Sequence, residues 1–322
     1  MILAVIPCLN EAEHIEHLVR NLIRNCAELQ MRIVIADGGS TDGTIEIARR
    51  LEAEYSQVKY LHNPKRIQSA AINLAVAEYG PWAKILIRLD AHAEYSANYC
   101  QTLMEEQQIH AASAVVVSME TVGKNLFQRA AAAAQNSKLG NGGAAHRNAG
   151  RSGRWVDHGH HALMRLDAFH AVGGYDESFS HNEDAELDLR LRQAGHRIWL
   201  TAKTSLTYYP RSRPAALFRQ YFRFGHGRAR TVMKHRALPR LRQLVPLGVA
   251  PAVLLALAAP LYWYAAIPLM VWVSFCVSYG LLLGIRQKSA PAALSGAAAM
   301  LMHFGWSLGF GSGIVSALRR PS

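Results

Sequence analysis

The feature that most constrains this chain is a long uncharged apolar run in its C-terminal third. No Asp, Glu, Lys or Arg occurs in residues 244–285, a stretch of 42 residues. One helix needs about 20 apolar residues to cross a bilayer, so this run has room for two. Pro260 and Pro268 bracket an aromatic segment, which is typical of a turn at the membrane–water interface. We therefore predict two spans, at about 244–262 and 265–285.

A second uncharged stretch, residues 289–318, contains Gly305, Gly309 and Gly313. Glycines spaced by four residues let two helices approach closely, so we predict a third membrane segment at about 290–317. The basic residues that flank the first two spans belong on the cytoplasmic side. A third crossing would place Arg319 and Arg320 outside, against this rule. The alternatives to a crossing are a re-entrant segment and one that lies flat on the membrane.

The charge distribution divides the chain. The formal net charge is +12, yet Asp188 is the last acidic residue, and residues 190–322 carry 18 basic groups. Much of this charge directly precedes the apolar run, which favours contact with anionic membrane lipids over nucleic acid, for which no recognition module is visible. We predict a cytoplasmic catalytic domain at 1–235 and a membrane domain at 236–322, located in the cell (inner) membrane as a multi-pass protein.

The N-terminal part alternates between strand and helix patterns. Short apolar runs at 2–6, 33–36 and 83–89 are typical of buried strands, and the segments between them have helical spacing. This alternation predicts an α/β domain with a mostly parallel sheet and helices on both faces. Ligands of such sheets bind beyond the carboxyl ends of the strands, so the residues at those ends are the candidate site.

Several short motifs occur at or after these strand ends, in a fixed order along the chain. They are PCLNE at 7–11, DGGSTDGT at 37–44, DAH at 90–92, GGYDE at 173–177 and ED at 183–184. Together they resemble the family 2 glycosyltransferases over about residues 1–230, and most of all the succinoglycan-type exopolysaccharide glycosyltransferases. The resemblance implies a GT-A fold, which is Rossmann-like, and a nucleotide-activated sugar as donor.

The resemblance also implies a divalent cation, Mn²⁺ or Mg²⁺. Asp90 and His92 stand where the family has Asp-x-Asp, so Asp90 would contact ribose or metal, and His92 would be a direct or water-mediated ligand. The histidine is a departure from the pattern, and imidazole suits Mn²⁺ better than Mg²⁺. The alternative is a strand-end turn with a surface histidine.

By the same resemblance, several residues would contact the nucleotide. Asp37 would accept a hydrogen bond from the base, with uracil expected, and Pro7 and Glu11 would lie beside the nucleotide in the first strand-to-helix loop. Of the neighbouring cations Lys65 and Arg66, one would contact base or diphosphate, and Arg66 is our candidate. The alternatives are a helix N-terminal charge for Glu11 and a solvated surface for the cations.

An inverting transfer needs a base that deprotonates the acceptor hydroxyl. By the match to the family's acidic pair, Asp184 is that base, and Glu183 precedes it. We expect Asp184 to open a helix, whose dipole would keep the carboxylate ionised. Helix capping is the alternative role of this pair.

The segment QYFRF at 220–224 resembles the Gln-x-x-Arg-Trp motif of membrane synthases, with Phe in place of Trp. One interpretation puts Gln220 and Arg223 at the active site, with Arg223 on the diphosphate. The other puts the whole basic amphipathic stretch 218–230 on anionic lipid. We expect both, with Arg228 onward at the lipid surface.

Two further segments are assigned from composition and position. Residues 140–153, rich in Gly, Ala, Asn and Arg, are interpreted as a mobile loop over the diphosphate. His158, His160 and His161 precede the Gly173 turn and are expected on a strand that lines the pocket.

The sequence therefore predicts an inverting glycosyltransferase that moves a hexose from a UDP-sugar to a lipid-linked saccharide acceptor in exopolysaccharide biosynthesis. Two alternatives stay open. One is a polyprenyl-phosphate glycosyltransferase, and the other is a catalytically inactive membrane adaptor of the same fold.

Overall fold

A computed structural model of the protein describes residues 1–144, 150, 152–179, 181–239 and 241–319. The chain forms two compact units. The first comprises Met1–Met119 and Asn148–Thr207, and the second comprises Glu120–Arg147 and Tyr208–Ser322. The predicted boundary at residue 235 separates a catalytic part from a membrane part, and it stays a prediction. The boundaries of the two compact units lie at other positions, the last of them between Thr207 and Tyr208.

The first unit is built on one eight-stranded mixed sheet. Strands β1, β2, β3 and β4 pair in parallel, whereas β7 runs antiparallel to both β4 and β5, and β6 is antiparallel to β8. The order across the sheet is β3-β2-β1-β4-β7-β5-β8-β6. The strands are β1 Ile2–Cys8, β2 Met31–Asp37, β3 Val58–His62, β4 Ile85–Arg88, β5 Ala114–Thr121, β6 Arg154–Val156, β7 His160–Arg165 and β8 Ile198–Tyr208.

The core of this unit follows from the apolar strand runs. Every residue of β1 from Ile2 to Ile6 is buried, and so is the stretch from Ile33 to Asp37 of β2. A strand that is buried on both faces needs a continuous apolar run, which is what these segments supply. The predicted α/β class and the mostly parallel arrangement of the first four strands are confirmed.

Helices connect the strands of this unit, and polar loop side chains hold the turn before the second helix. Asn10 does not cap the first helix: its backbone is left-handed (φ 59°), and its Oδ1 accepts from the Thr41 amide. The turn before the second helix is instead held by Asp42, whose Oδ1 accepts from the Thr44 amide at 3.2 Å. The helices are α1 Ile15–Asn25, α2 Thr44–Glu54, α3 Gln68–Tyr79, α4 Tyr99–His110, α7 Leu166–Ala171 and α8 Glu183–Gln193.

The second unit is helical. Its core contains small side chains, among them Ala131, Ala134, Ala298 and Ala299, packed with Leu217. Of the predicted loop at 140–153, residues 145–149 and 151 lie outside the described residues. The helices are α5 Leu126–Asn136, α6 Lys138–Asn141, α9 Pro214–His235, α10 Leu241–Leu244, α11 Val249–Ala256, α12 Ile267–Gln287, α13 Ala290–Ala293 and α14 Ser295–Leu318.

Two segments of this unit, Trp263–Gln287 and Ala290–Leu318, are long and apolar enough to cross a membrane. The first predicted span, at 244–262, is not one continuous helix. A 3-10 turn at Val245–Gly248 interrupts it. The helical segment Arg242–Ala256, which includes this turn, is too short to span a bilayer core of about 30 Å. Pro246 is the second residue of that turn, and because proline has no backbone N–H it cannot continue the hydrogen bonding of the preceding helix.

The glycines of α14 allow close helix packing, as predicted, and their partner is α9. A Cβ on Gly309 would lie 1.9 Å from the Phe222 carbonyl oxygen, and one on Gly305 would lie 2.7 Å from that of Phe218. One on Gly313 would lie 2.7 Å from the Ala229 Cβ. Larger side chains at these positions would force the two backbones apart.

Candidate active site

The carboxyl ends of β2, β1 and β4 lie side by side because these strands pair in parallel. Cys8 of β1 is opposite Asp37 of β2, and Leu89, just after β4, donates its backbone N–H to Val5 of β1. The loops that follow the three strands therefore leave the sheet at the same edge. Pro7, half-buried near the end of β1, also lies at this edge.

The Asp37 carboxylate is fully buried and holds its own turn. Its Oδ1 accepts from the amides of Gly39 and Ser40, at 2.7 and 2.9 Å, and its Oδ2 accepts from the Ser40 hydroxyl. Both oxygens are therefore occupied by local donors. The predicted contact of Asp37 with the nucleotide base stays a prediction, and what the structure assigns to this residue is the shape of the turn.

Arg66 lies against that turn. Its own backbone is left-handed (φ 57°), and a Cβ placed on Gly39 would meet the Arg66 Nη2 at 3.4 Å. The neighbouring Lys65 ion-pairs with Glu177 at 2.5 Å. Of the two candidate cations, the exposed Arg66 is therefore the one beside the turn that ends β2.

Glu11 and His92 meet across the ends of β1 and β4. The His92 Nδ1 lies 2.9 Å from the Glu11 Oε1, and the histidine side chain is 59% exposed. A carboxylate that fixes one ring nitrogen is the usual second contact of a metal-binding histidine. This pairing accounts for both residues without a helix-terminal role for Glu11.

Asp90 is the centre of a polar cluster directly after β4. Its Oδ1 accepts from Gln68 at 3.1 Å and lies 3.5 Å from the Arg88 Nη2, and its Oδ2 lies 3.4 Å from the His160 Nε2. Burial alone would raise the pKa of Asp90, but Arg88, His160 and His92 outweigh it and hold the pKa below its ordinary value. Asp90 is therefore an anion that faces three cationic or polar side chains.

Arg88 joins Asp90 to Asp184. It is 7% exposed, and its Nη1 donates to the Asp184 Oδ1 at 2.6 Å. The hydroxyl of Tyr175 donates to the same oxygen at 3.0 Å. The Asp184 Oδ2 receives no hydrogen bond from the described part of the chain. One oxygen of this carboxylate is thus fixed, and the other keeps its lone pairs for a ligand.

Asp184 and Glu183 begin helix α8, as predicted. Burial opposes ionisation of Asp184, but Arg88 and the histidines 161 and 160 outweigh it and lower its pKa. Glu183 has the opposite behaviour: burial, with the nearby Asp184 charge, raises its pKa to about 7. Because the two pKa values are shifted in opposite directions, Asp184 is the carboxyl group that is ionised and Glu183 is the one that retains its proton more readily.

Behind Asp184 lies a group of polar side chains: His161 on β7, Asp188 on α8, Tyr175 between α7 and α8, and the half-buried His158 just before β7. The His161 Nε2 lies 2.6 Å from the Asp188 Oδ1, and the His161 Nδ1 lies 3.2 Å from the Tyr175 hydroxyl. His158 contacts the other Asp188 oxygen at 2.7 Å. Strand β7 thus contacts Asp90 through His160, and it supports Asp184 through His161 and Tyr175.

Gln220 and Arg223 lie on α9, in the second unit. The Gln220 Nε2 donates to the Tyr208 hydroxyl at 2.8 Å, and its buried Oε1 has no partner among the described residues. Arg223 is exposed. Their predicted contacts with substrate stay predictions.

The residues present fit a divalent cation only if a substrate completes the ligand set. Among the described residues, no group of three or more His, Cys, Asp or Glu side chains is placed to hold a metal ion. Magnesium and manganese in nucleotide sites are commonly held by one or two protein ligands together with phosphate oxygens. Asp90 and His92 would supply that share.

Sequence reasoning missed the groups that connect the site. Arg88, Tyr175 and Asp188 were not assigned roles, and His161 was expected only on a strand that lines the pocket. Two signals were present in the sequence: Arg88 is a charge inside an apolar strand run, and Asp188 lies four residues after Asp184, on the same helix face.

Comparison with known proteins identifies the class. The sequence matches the family described as glycosyl transferase family 2 over residues 3–173. The chain belongs to glycosyltransferase family 2. It is 56% identical over 318 residues, 99% of this chain and 96% of the relative, to the succinoglycan biosynthesis protein ExoA of Rhizobium meliloti (strain 1021).

A more distant relative and a solved structure are also similar to this chain. A Methanococcus voltae protein is 22% identical over 76% of this chain and 77% of its own length. It is named dolichyl N-acetyl-alpha-D-glucosaminyl phosphate 3-beta-D-2,3-diacetamido-2,3-dideoxy-beta-D-glucuronosyltransferase. The solved Pyrobaculum calidifontis mannosyltransferase, in complex with GDP-Man and Mn²⁺, superposes with a TM-score of 0.60 at 17% identity, covering 94% of this chain and 87% of that one. The protein is a glycosyltransferase of the GT-A fold.

Proposed function

We propose that this glycosyltransferase is membrane-bound and inverting, and that it transfers a hexose from a UDP-sugar to a lipid-linked saccharide during exopolysaccharide assembly. The observation that carries the proposal is the Asp184 carboxylate. Arg88 and Tyr175 fix its Oδ1, and its Oδ2 accepts nothing from the described residues. A carboxylate with one oriented oxygen and one available oxygen is suited to act as a general base.

The proposed step is a single displacement. The Asp184 Oδ2 accepts the proton of the acceptor hydroxyl while the acceptor oxygen forms a bond to the anomeric carbon. The bond from that carbon to the diphosphate oxygen breaks at the same time, and the proton remains on Asp184. Attack from the face opposite the leaving group inverts the configuration at the anomeric carbon.

The leaving diphosphate carries the charge that must be stabilised. Arg66, beside the turn that ends β2, supplies a cation at the predicted nucleotide position. A divalent cation held by Asp90 and His92 would neutralise the diphosphate when bound. Glu11 orients His92 through its Nδ1. The pairing of Lys65 with Glu177 leaves Arg66 as the cation offered at this position.

Two kinds of evidence support a lipid-linked acceptor and an exopolysaccharide product. The relative at 56% identity is named for succinoglycan biosynthesis, and the Methanococcus voltae relative is named for a dolichyl-linked sugar. The Trp263–Gln287 segment is apolar, and only 11% of its most apolar window is buried, unlike the core helix of a water-soluble domain. An enzyme tethered to the bilayer meets a lipid-linked acceptor at high local concentration.

The basic residues support a cytoplasmic catalytic unit. Lys234 and Arg236 precede the apolar part of the chain, and Arg286 and Lys288 follow the Ile267–Gln287 helix. By the positive-inside rule both groups belong on the cytoplasmic side of an inner membrane. The uncharged stretch 244–285 between them would then enter the membrane and return to the same side.

The test is a donor and acceptor panel on membranes that contain the full-length protein. UDP-, GDP- and dTDP-sugars would be combined with polyprenyl-diphosphate-linked saccharides, with Mn²⁺, Mg²⁺ or EDTA, and released nucleotide measured. We expect release from a UDP-hexose that depends on the saccharide acceptor and adds one sugar. Transfer to polyprenyl phosphate alone, or products of many sugars, would contradict the proposed acceptor, and absence of any acceptor-dependent release would contradict the proposed function.

A further inference from the structure

Three buried side chains of the first unit, Asp188, His161 and Tyr175, form a continuous hydrogen-bonded row that ends on the half-buried Asp184. From the inside outward, Asp188 Oδ1 lies 2.6 Å from His161 Nε2, and His161 Nδ1 lies 3.2 Å from the Tyr175 hydroxyl. That hydroxyl donates to Asp184 Oδ1 at 3.0 Å. Asp188 is 1% exposed and His161 is 2% exposed, so water does not substitute for these contacts.

The valences of the row fix where its protons lie. Asp184 is an anion against Arg88, at 2.6 Å, so it accepts the single proton of the Tyr175 hydroxyl. The Tyr175 oxygen then has only lone pairs to offer His161, whose Nδ1 must carry a proton. The Asp188 Oδ2 accepts hydrogen bonds from His158 and from the Gly159 amide, so this carboxylate is also an acceptor. The His161 Nε2, which faces the Asp188 Oδ1, must therefore carry a proton as well.

We propose that His161 is a positioning residue, a buried imidazolium that keeps the Tyr175 proton on Asp184 Oδ1 and so leaves Oδ2 for the acceptor hydroxyl. The inference rests on the proposed role of Asp184 as the base. A neutral His161, protonated toward Asp188, would offer a lone pair at Nδ1. Tyr175 would then have two competing acceptors for one proton, and Asp184 would lose a fixed partner.

The charges that face His161 agree with this state. Burial by itself would lower the pKa of His161, but Asp188 and Asp184 outweigh it and raise the pKa above its ordinary value. Two groups oppose the imidazolium: Arg88 on β4, which also contacts the Tyr175 hydroxyl, and His160 on β7. The ion pair with Asp188 at 2.6 Å is the shortest of the contacts made by His161 and the dominant one.

The first experiment is a double-mutant cycle on the full-length protein in membranes. His161→Asn and Tyr175→Phe should each lower kcat about tenfold, with the KM for the sugar nucleotide unchanged, since each removes one orienting contact to a charged group. Because His161 acts through Tyr175, the double variant should be no slower than Tyr175→Phe alone. Multiplied losses in the double variant would overturn the proposal.

A matched control separates this role from general support of Asp188. His158 contacts the same carboxylate at 2.7 Å and lies on the same chain segment. Because His158 does not contact Tyr175 or Asp184, His158→Asn should lower kcat clearly less than His161→Asn does. A loss equal to that of His161→Asn would show that the row acts only by holding Asp188, and the proposal would fail.

The second experiment reads the proton directly and needs no transfer activity. In protein labelled with ¹⁵N-histidine, the signal that disappears in His161→Gln should have both ring nitrogens protonated at pH 7.5, above the ordinary histidine pKa of about 6.5. A singly protonated ring at that pH would overturn the inference whether or not the variants are active. If the wild type shows no transfer while this signal is present, the proposed function fails and the imidazolium stands.

Discussion

Arg88 gives the sharpest test of how the site is held together. It is 7% exposed and lies between two carboxylates, 2.6 Å from Asp184 and 3.5 Å from Asp90. Replacing it with Met keeps most of the volume and removes the charge. The two carboxylates would then remain in a buried site without their common cation.

The expected cost is large because the pair is buried. Removing one partner of a buried ion pair costs about 3–5 kcal/mol, and in a unit of this size each kcal/mol lowers Tm by roughly 2–4 °C. The pKa values of Asp90 and Asp184, depressed in the wild type with the help of Arg88, should rise in Arg88→Met. Below the raised values both carboxyls are neutral, so the deficit should be largest at pH 8 and shrink toward pH 5.

The assay is thermal unfolding in mild detergent, followed by tryptophan fluorescence, with wild type and variant compared at each pH. Arg165→Met is the matched control, since Arg165 pairs with Asp167 at the surface, where the side chains are 40% and 62% exposed. Such a pair contributes about 0–1 kcal/mol. Equal Tm values for Arg88→Met and Arg165→Met, or a deficit that does not change with pH, would refute the reasoning.

Three further predictions follow from individual side chains. Asp184→Asn should lower kcat by about 10²–10⁴-fold while UDP binding, measured by calorimetry, stays within about twofold; loss of both would indicate a structural role. Gly309→Leu should destabilise the second unit by about 3 kcal/mol or more, because a Cβ there would lie 1.9 Å from a carbonyl oxygen. A Cβ on Gly311 meets no described atom of another element within 4 Å, so Gly311→Leu is the control, and size-exclusion profiles after heating should separate the two variants. Since the pKa of Glu183 is raised to about 7 in the folded protein, the contribution of this group to stability should fall by about 3 kcal/mol as pH rises from 4.5 through 7, and Glu183→Gln should remove that part of the pH dependence in the same unfolding assay.

The sequence predicted what depends on local pattern. The apolar runs predicted the parallel strands, and the parallel arrangement placed Asp37 and the loop of Asp90 at one edge. The spacing of Gly305, Gly309 and Gly313 predicted close helix packing. Each of these patterns is contained in one short segment of the chain, so it can be recognised without knowing which distant segments make contact.

The contacts that hold the site depend on distant segments. His160 and His161 lie near Asp90 and Asp184 because β7 runs antiparallel beside β4, and Arg88 meets Asp184 across 96 positions of chain. No local pattern specifies that pairing. The first predicted span was wrong as a continuous helix for a different, local reason: the absence of charge shows how apolar the run is, whereas Pro246 lies in the 3-10 turn that interrupts it.

The configuration of the product tests the central claim most directly. Once a donor is identified, the linkage formed by the wild-type enzyme would be read by NMR from the anomeric coupling constant of the transferred sugar. Direct attack by a hydroxyl that Asp184 has deprotonated predicts a β-linked product from an α-linked UDP-hexose. An α-linked product would mean that the configuration is retained, and it would contradict a mechanism in which Asp184 serves as the base of a single displacement.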